Sequence, residues 1–300
     1  MTPSPHLPVR FKRPTLLIVG CGDIGMRVVA LLRSRWHLIA LTSEAGRVSS
    51  LRDAGVVPIV GNLDHGATLG RLAGLADAVL HLAPPPGSGT VDSRTRALLA
   101  ALSLKRRVRR IVYASTSGVY GDCDGALIDE TRAVRPATDR ARRRVDAELR
   151  LRWFGRAFGV QVTLLRIPGI YAADRAGGHP RERLAGGMTV LRAQDDVFTN
   201  HIHADDLARI CVAALHRGST QRAINASDDT TLKMGDYFEL AAELCGLPAP
   251  RRITREEARA SLPAMQLSFM GESRRLVNTR LKTELQVRLR YPNVREGLLA

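Results

Sequence analysis

The chain has 300 residues, 45% of them hydrophobic, enough for one large α/β domain or for a nucleotide domain carrying a smaller lobe. No apolar run approaches the roughly 20 residues of a membrane-spanning helix, and the proline-rich segment 1–14 lacks the apolar stretch and small-residue cleavage site of a secretory leader. A net charge of +16 attracts nucleic acid, anionic surfaces and phosphorylated ligands alike, and no nucleic-acid recognition motif accompanies it, so the charge selects no partner.

After a tail at 1–14, short aliphatic or β-branched runs alternate with longer segments whose apolar residues recur at three and four, the pattern of a parallel sheet wrapped by helices. Six strands are predicted, at Leu16–Val19, His37–Thr42, Val56–Val60, Ala78–Leu82, Arg110–Ser115 and Val162–Ile167. Helices are predicted between them at Ile24–Arg35, Glu44–Ala54, Thr90–Arg106 and Arg140–Phe158. Segment 172–187, rich in glycine and charge, marks the expected boundary of a smaller lobe over 172–300. That part holds predicted helices at Asp205–His216, Gly235–Cys245 and Arg255–Leu262 and a short strand at Ala223–Asn225, and the chain is expected to return to the first domain near 197–226.

Between the first strand and first helix stands Gly20-Cys21-Gly22-Asp23-Ile24-Gly25. In a Gly-x-Gly-x-x-Gly loop of this kind the first glycine permits the tight turn, the second lets backbone approach a diphosphate, and the third allows close helix–strand packing. The helix N-terminus then offers unpaired N–H groups and partial positive charge to the anion. The expected fold is therefore an α/β, Rossmann-type doubly wound parallel sheet over 15–171 with a smaller C-terminal lobe, and the expected cofactor is NAD(P). An acidic residue about 20 positions after the first glycine would grasp the ribose 2′-hydroxyl of NAD. Here the second strand ends Thr42-Ser43, Glu44 comes late, and Arg47 stands one turn further on, which leans the reading toward NADP; an ordinary solvated arginine is the alternative. Thr42, Asn62 and Leu63, at the ends of the second and third strands, complete the candidate dinucleotide contacts outside the loop.

These residues resemble the extended short-chain dehydrogenase/reductase superfamily, in particular its NAD-dependent epimerase/dehydratase group, from Thr15 to Leu298. Besides the glycine loop, the resemblance rests on His81-Leu-Ala-Pro-Pro, Tyr113-Ala-Ser-Thr-Ser-Gly-Val-Tyr-Gly121, Asp129-Glu-Thr, Leu165-Arg-Ile-Pro-Gly-Ile-Tyr171 and Asn200-His-Ile-His-Ala-Asp-Asp-Leu207. It implies that Ala83 and Pro84 line the cofactor channel, that Thr116 occupies the catalytic Ser/Thr position, and that Pro168 lies near the nicotinamide. It also implies a homodimer formed through helices flanking the sheet.

The chain departs from the family where a Tyr-x-x-x-Lys pair would transfer the proton: those positions are Arg140 and Arg144. A guanidinium stays protonated and is no general base near neutral pH. Two readings stay open for the pair. They clamp an anionic substrate or the cofactor phosphate, or Arg144 simply pairs with Glu148 in solvent. Substitute acids on this reading are Tyr120, one turn beyond Thr116, or a histidine, His81 or His201. The His201-Ile-His203-Ala-Asp205 stretch puts two imidazoles on one face of an extended segment, but Asp205 fits better as N-cap of a helix starting at Asp206, so no metal site is assigned. Cys21 reads as a small residue between glycines rather than a thiolate, and the four scattered cysteines as reduced thiols. In the arginine-rich C-terminal stretch, Arg274, Arg275 and Arg280 are not separable as anion contacts.

The sequence thus points to an NAD(P)-binding, cytoplasmic oxidoreductase or epimerase-like enzyme on a small polar or sugar-like substrate, with non-standard catalytic residues. A catalytically silent NAD(P) sensor and a nucleic-acid-associated basic protein are the alternatives.

Overall fold

The computed structural model describes residues 13–300, so the tail expected at 1–14 lies almost wholly outside the described residues. Seven strands form one sheet: β1 (Thr15–Val19), β2 (His37–Thr42), β3 (Val57–Val60), β4 (Ala78–His81), β5 (Arg110–Thr116), β6 (Gln161–Ile167) and β7 (Arg222–Asn225). Their spatial order is 3-2-1-4-5-6-7, and every pairing is parallel. The order reverses between β1 and β4, and Val19 at the end of β1 stands beside Leu41 on one side and His81 on the other. A doubly wound sheet holds its ligand in the crevice beyond the strand ends at this reversal.

Side-chain alternation along the strands builds a core on each face. Leu16, Ile18, Leu38, Ala40, Leu80 and Val112 pack under α1 (Asp23–Leu32) and a later helix, Ala204–Arg217. Leu17, Val19, Ile39, Leu41, Val79 and Ile111 face the other way, under α3 (Ser93–Ser103) and α4 (Asp139–Phe158), with α2 (Val48–Asp53) lying between β2 and β3. Ala204–Arg217 is α5, and Met234–Cys245 is α6. In the C-terminal part, Tyr171, Val190, Tyr237, Phe238, Val294 and Leu298 form a smaller cluster, and a short strand pair joins Thr189–Leu191 to Arg251–Ile253.

Several predicted elements are corrected. The sheet has seven strands rather than six, because the short Ala223–Asn225 run belongs to β7 and pairs with β6. The helix expected over Glu44–Ala54 is a 3₁₀ turn, Ala45–Arg47, followed by the single turn and a half of α2; neither start has a side-chain cap. The helix expected over Thr90–Arg106 begins only at Ser93, where the Asp92 carboxylate accepts from the Thr95 N–H and fixes the start. Asp205 is not the N-cap of α5. His203 holds that position, its Nδ1 accepting from the Asp205 N–H at 3.2 Å, because the Asp205 carboxylate is taken by Arg27. No helix among the described residues is long and apolar enough to cross a membrane.

Candidate functional site

The turn after β1 is built on close backbone approach. Gly20 has φ +87°, and a Cβ there would stand 2.4 Å from the Ala83 nitrogen, so only glycine fits between the ends of β1 and β4. The N–H groups of Leu82 and Ala83 both donate to the Val19 carbonyl, at 2.8 and 2.9 Å, locking the two strand ends together. A Cβ on Gly25 would lie 3.3 Å from the Gly20 carbonyl oxygen, whereas nothing comes within 4 Å of one on Gly22. Helix α1 starts without a side-chain cap, so the Asp23, Ile24 and Gly25 amides have no intrahelical acceptor. They face a cavity of about 310 Å³ at the strand-order reversal. An open, uncapped cradle of this kind fits a diphosphate.

The far wall of the same cavity comes from β5, α4 and the chain after β6: Ser115, Thr116, Arg144, Ile167 and Pro168. The Thr116 hydroxyl accepts from the Gly118 N–H at 3.3 Å and caps the 3₁₀ turn Ser117–Tyr120. Arg144 donates from Nη1 to the Tyr113 hydroxyl at 3.0 Å and to the Ala114 carbonyl at 2.7 Å. Burial pushes the Tyr113 phenol up to about 12, with the Arg144 charge opposing. Beneath it lies His81, its Nε2 3.0 Å from the Thr95 hydroxyl and its Nδ1 without a partner. Burial, assisted by the Arg144 charge, holds this imidazole down at about 3, so it is neutral at ordinary pH.

A scan against family models matches residues 16–227 to the NAD dependent epimerase/dehydratase family. The chain belongs to this family. Among curated relatives, Protein YeeZ of Escherichia coli strain K12 is 25% identical over 285 residues, 92% of this chain and 96% of that protein. Among solved structures, a functionally unknown conserved protein from Silicibacter pomeroyi DSS superposes with a TM-score of 0.77 at 29% identity, covering 95% of this chain and 96% of that one. UDP-glucuronic acid 4-epimerase from Bacillus cereus, solved in complex with NAD, has a TM-score of 0.75 at 19% identity, with 95% and 96% covered. At that identity the likeness is one of fold.

Within this epimerase/dehydratase chain the sequence-predicted residues divide. Gly20, Gly22, Asp23, Ile24, Gly25, Thr116, Arg144 and Pro168 line one cavity. Thr42, Arg47, Asn62, Leu63, Ala83 and Pro84 are not among its lining residues. Among them Arg47 donates to the Cys21 carbonyl at 2.7 Å, Thr42 accepts from the Glu44 N–H, and Asn62 Oδ1 accepts from the Asp64 N–H. Arg140 stands apart from the cavity lining, stacked over the Phe269 ring at 4.7 Å. Tyr120 is corrected as a substitute acid: it is buried, its hydroxyl donates to Asn225 Oδ1 at 2.8 Å, and Arg166 covers its ring. His201 is likewise buried away from the cavity, stacked on Tyr237 at 4.1 Å. The Arg144–Glu148 solvent pair does not form, because Glu148 is buried and takes both Arg166, at 2.8 Å, and the Ser115 hydroxyl, at 2.6 Å. Burial pushes the Cys21 thiol up to about 11, so no thiolate sits at the loop.

Six cavity residues escaped sequence reasoning: Leu82, Ala114, Ser115, Ile167, Ile170 and Arg175. The first five adjoin motif positions and carry no signal of their own. Arg175 lies in the glycine-rich stretch read as a boundary, and its approach to Asp23 depends on tertiary contact alone. No group of three His, Cys, Asp or Glu able to hold a metal occurs among the described residues.

Proposed function

We propose that the chain binds NAD(P) with the diphosphate on the α1 amides, and that it is an oxidoreductase or epimerase-like enzyme acting on a small polar, sugar-like substrate through Arg144 and Thr116. The observation that carries this reading is one cavity shared by the glycine loop and by Thr116, Arg144 and Pro168. A bound nicotinamide supplies hydride transfer. Arg144, fixed by Tyr113 and Ala114, keeps its charge and donates hydrogen bonds to an oxygen on which negative charge develops. A guanidinium neither takes up nor gives up a proton near neutral pH, so Arg144 stabilises the developing oxyanion in either direction while the alcohol proton is exchanged with solvent water. Thr116 supplies a second hydroxyl contact to the same oxygen. The absence of an acid at the end of β2, with Arg47 held against the glycine-loop backbone, supports NADP over NAD. On this reading residues 15–171 and β7 hold the cofactor, 172–300 cover the substrate, and the molecule is a cytoplasmic homodimer.

A second reading, a silent dinucleotide sensor, is favoured by one observation: among the described residues Asp23 is the only carboxylate lining the cavity, and it is ion-paired to Arg27 and Arg175. Incubating the protein with NADPH or NADH and a panel of carbonyl compounds and nucleotide sugars, while following absorbance and cofactor binding together, separates the two. The expected result is NADPH oxidation with at least one carbonyl compound, lost about 100-fold in Arg144→Leu, and weaker binding of NADPH but not NADH in Arg47→Ala. Binding without turnover across the panel establishes the sensor.

A further inference from the structure

The segment after β6 folds back over the start of α1. Arg175 stands at the crest of two successive turns, its N–H bonded to the Ala172 carbonyl and its carbonyl accepting from the Gly178 N–H at 2.8 Å. A Cβ on Gly178 would come within 2.8 Å of the Arg175 Cβ, so the glycine is what lets the arginine turn inward. The side chain lines the same cavity as Gly20, Gly22 and Gly25. There its Nε lies 3.2 Å from Asp23 Oδ2, yet this buried N–H has no hydrogen-bond acceptor, because the alignment is wrong for one.

The charges around it explain why a cation belongs there. Arg27 is shared among three carboxylates, those of Asp23, Asp174 and Asp205. Asp23, the first residue of α1, therefore leaves uncompensated negative charge where an anion would dock. Arg175 is the only other cation in contact with Asp23 among the ion pairs of the described residues. A buried donor left unbonded, on a charged side chain, at the mouth of an uncapped helix N-terminus, is placed to accept an incoming oxyanion.

We propose that Arg175 is a diphosphate-binding residue of the dinucleotide site, a direct contact from the segment after β6 that closes the cradle opposite the α1 amides. This rests on the reading that the cavity binds NAD(P).

The test is calorimetric titration of NAD and NADP into the parent, Arg175→Ala, Arg175→Lys, Asp23→Asn and the double variant Asp23→Asn/Arg175→Ala. Arg251→Ala, at an exposed arginine paired with Glu257, controls for loss of one unit of overall charge. Arg175→Ala is expected to weaken binding about tenfold or more relative to Arg251→Ala, with Arg175→Lys intermediate and the melting temperature of the unliganded protein little changed. The loss should persist in the Asp23→Asn background, since a direct contact does not depend on Asp23. If it vanishes there, Arg175 merely neutralises Asp23 and the proposal is overturned. Equal affinity of Arg175→Ala and Arg251→Ala overturns it too. In both cases the parent still binds, which keeps that failure separate from failure of the cofactor reading itself, where the parent binds neither dinucleotide.

Discussion

Arginine at position 144 shows what one side chain's surroundings do to its chemistry. Half-buried against Tyr113, its charge adds to the burial that keeps His81 neutral. Burial holds His201 down at about 3 as well. Each of these histidines takes a proton near pH 6.5 when unfolded but not when folded, so the stability they permit is present above that pH and is lost as pH falls toward 3. Asp228 works the other way: burial raises it to about 7, so the folded state holds its proton and gains stability as pH drops below 7. Burial also lowers His203 and His216 and raises Glu130 and Asp196, so four histidines stand against three carboxyls between pH 6.5 and 5. Unfolding free energy measured by urea denaturation should therefore fall across this range, and His201→Phe should flatten the slope by up to about 1.4 kcal/mol per pH unit. An unchanged slope in His201→Phe would contradict the assignment. The glycine loop was legible in sequence because its spacing is self-contained. The surroundings of Arg144 and Arg175 were not, because Tyr113 and Asp23 reach them only through the fold.

A capping side chain fixes where an element starts, although sequence periodicity placed the start of α3 three residues early and was misled where two candidate caps compete. Asp92 and Thr138 each accept from the N–H three residues on and mark α3 and α4. At α5 two neighbouring aspartates are drawn off to distant partners: Asp205 to Arg27, and Asp206 to the Arg290 and Tyr291 amides. The cap passes to His203, which periodicity alone does not show. Glu148 on α4 was legible as a solvent partner for Arg144 but not as a buried residue. It joins α4 to β6 through Arg166, both side chains 5% exposed. Glu148→Ala leaves the Arg166 guanidinium buried and unpaired, so it should cost about 3–5 kcal/mol in urea denaturation. A loss under about 1 kcal/mol would show that the pair is dispensable.

For the whole molecule, strand alternation with helical spacing carried most of the fold, since the central strands are buried on both faces and β1, β2 and β4 read as near-continuous apolar runs. The return of the chain near 197–226 was legible as well, through the short strand at Ala223–Asn225, but its place as a seventh strand beside β6 was not. The surface of α4 leaves Leu149 and Trp153 about 60% exposed, apolar area that the homodimer proposed above would cover. Sedimentation should find the parent dimeric and Trp153→Glu monomeric; a monomeric parent would refute this. The central claim is that the α1 amides hold a dinucleotide diphosphate, and Gly22 tests it because a Cβ there would meet nothing within 4 Å. Calorimetric titration of NAD and NADP into parent and Gly22→Asp protein of equal melting temperature should show one site per chain in the parent. The variant's added carboxylate should weaken binding at least about tenfold. Equal affinity in the two proteins, or no binding by the parent, would contradict the claim.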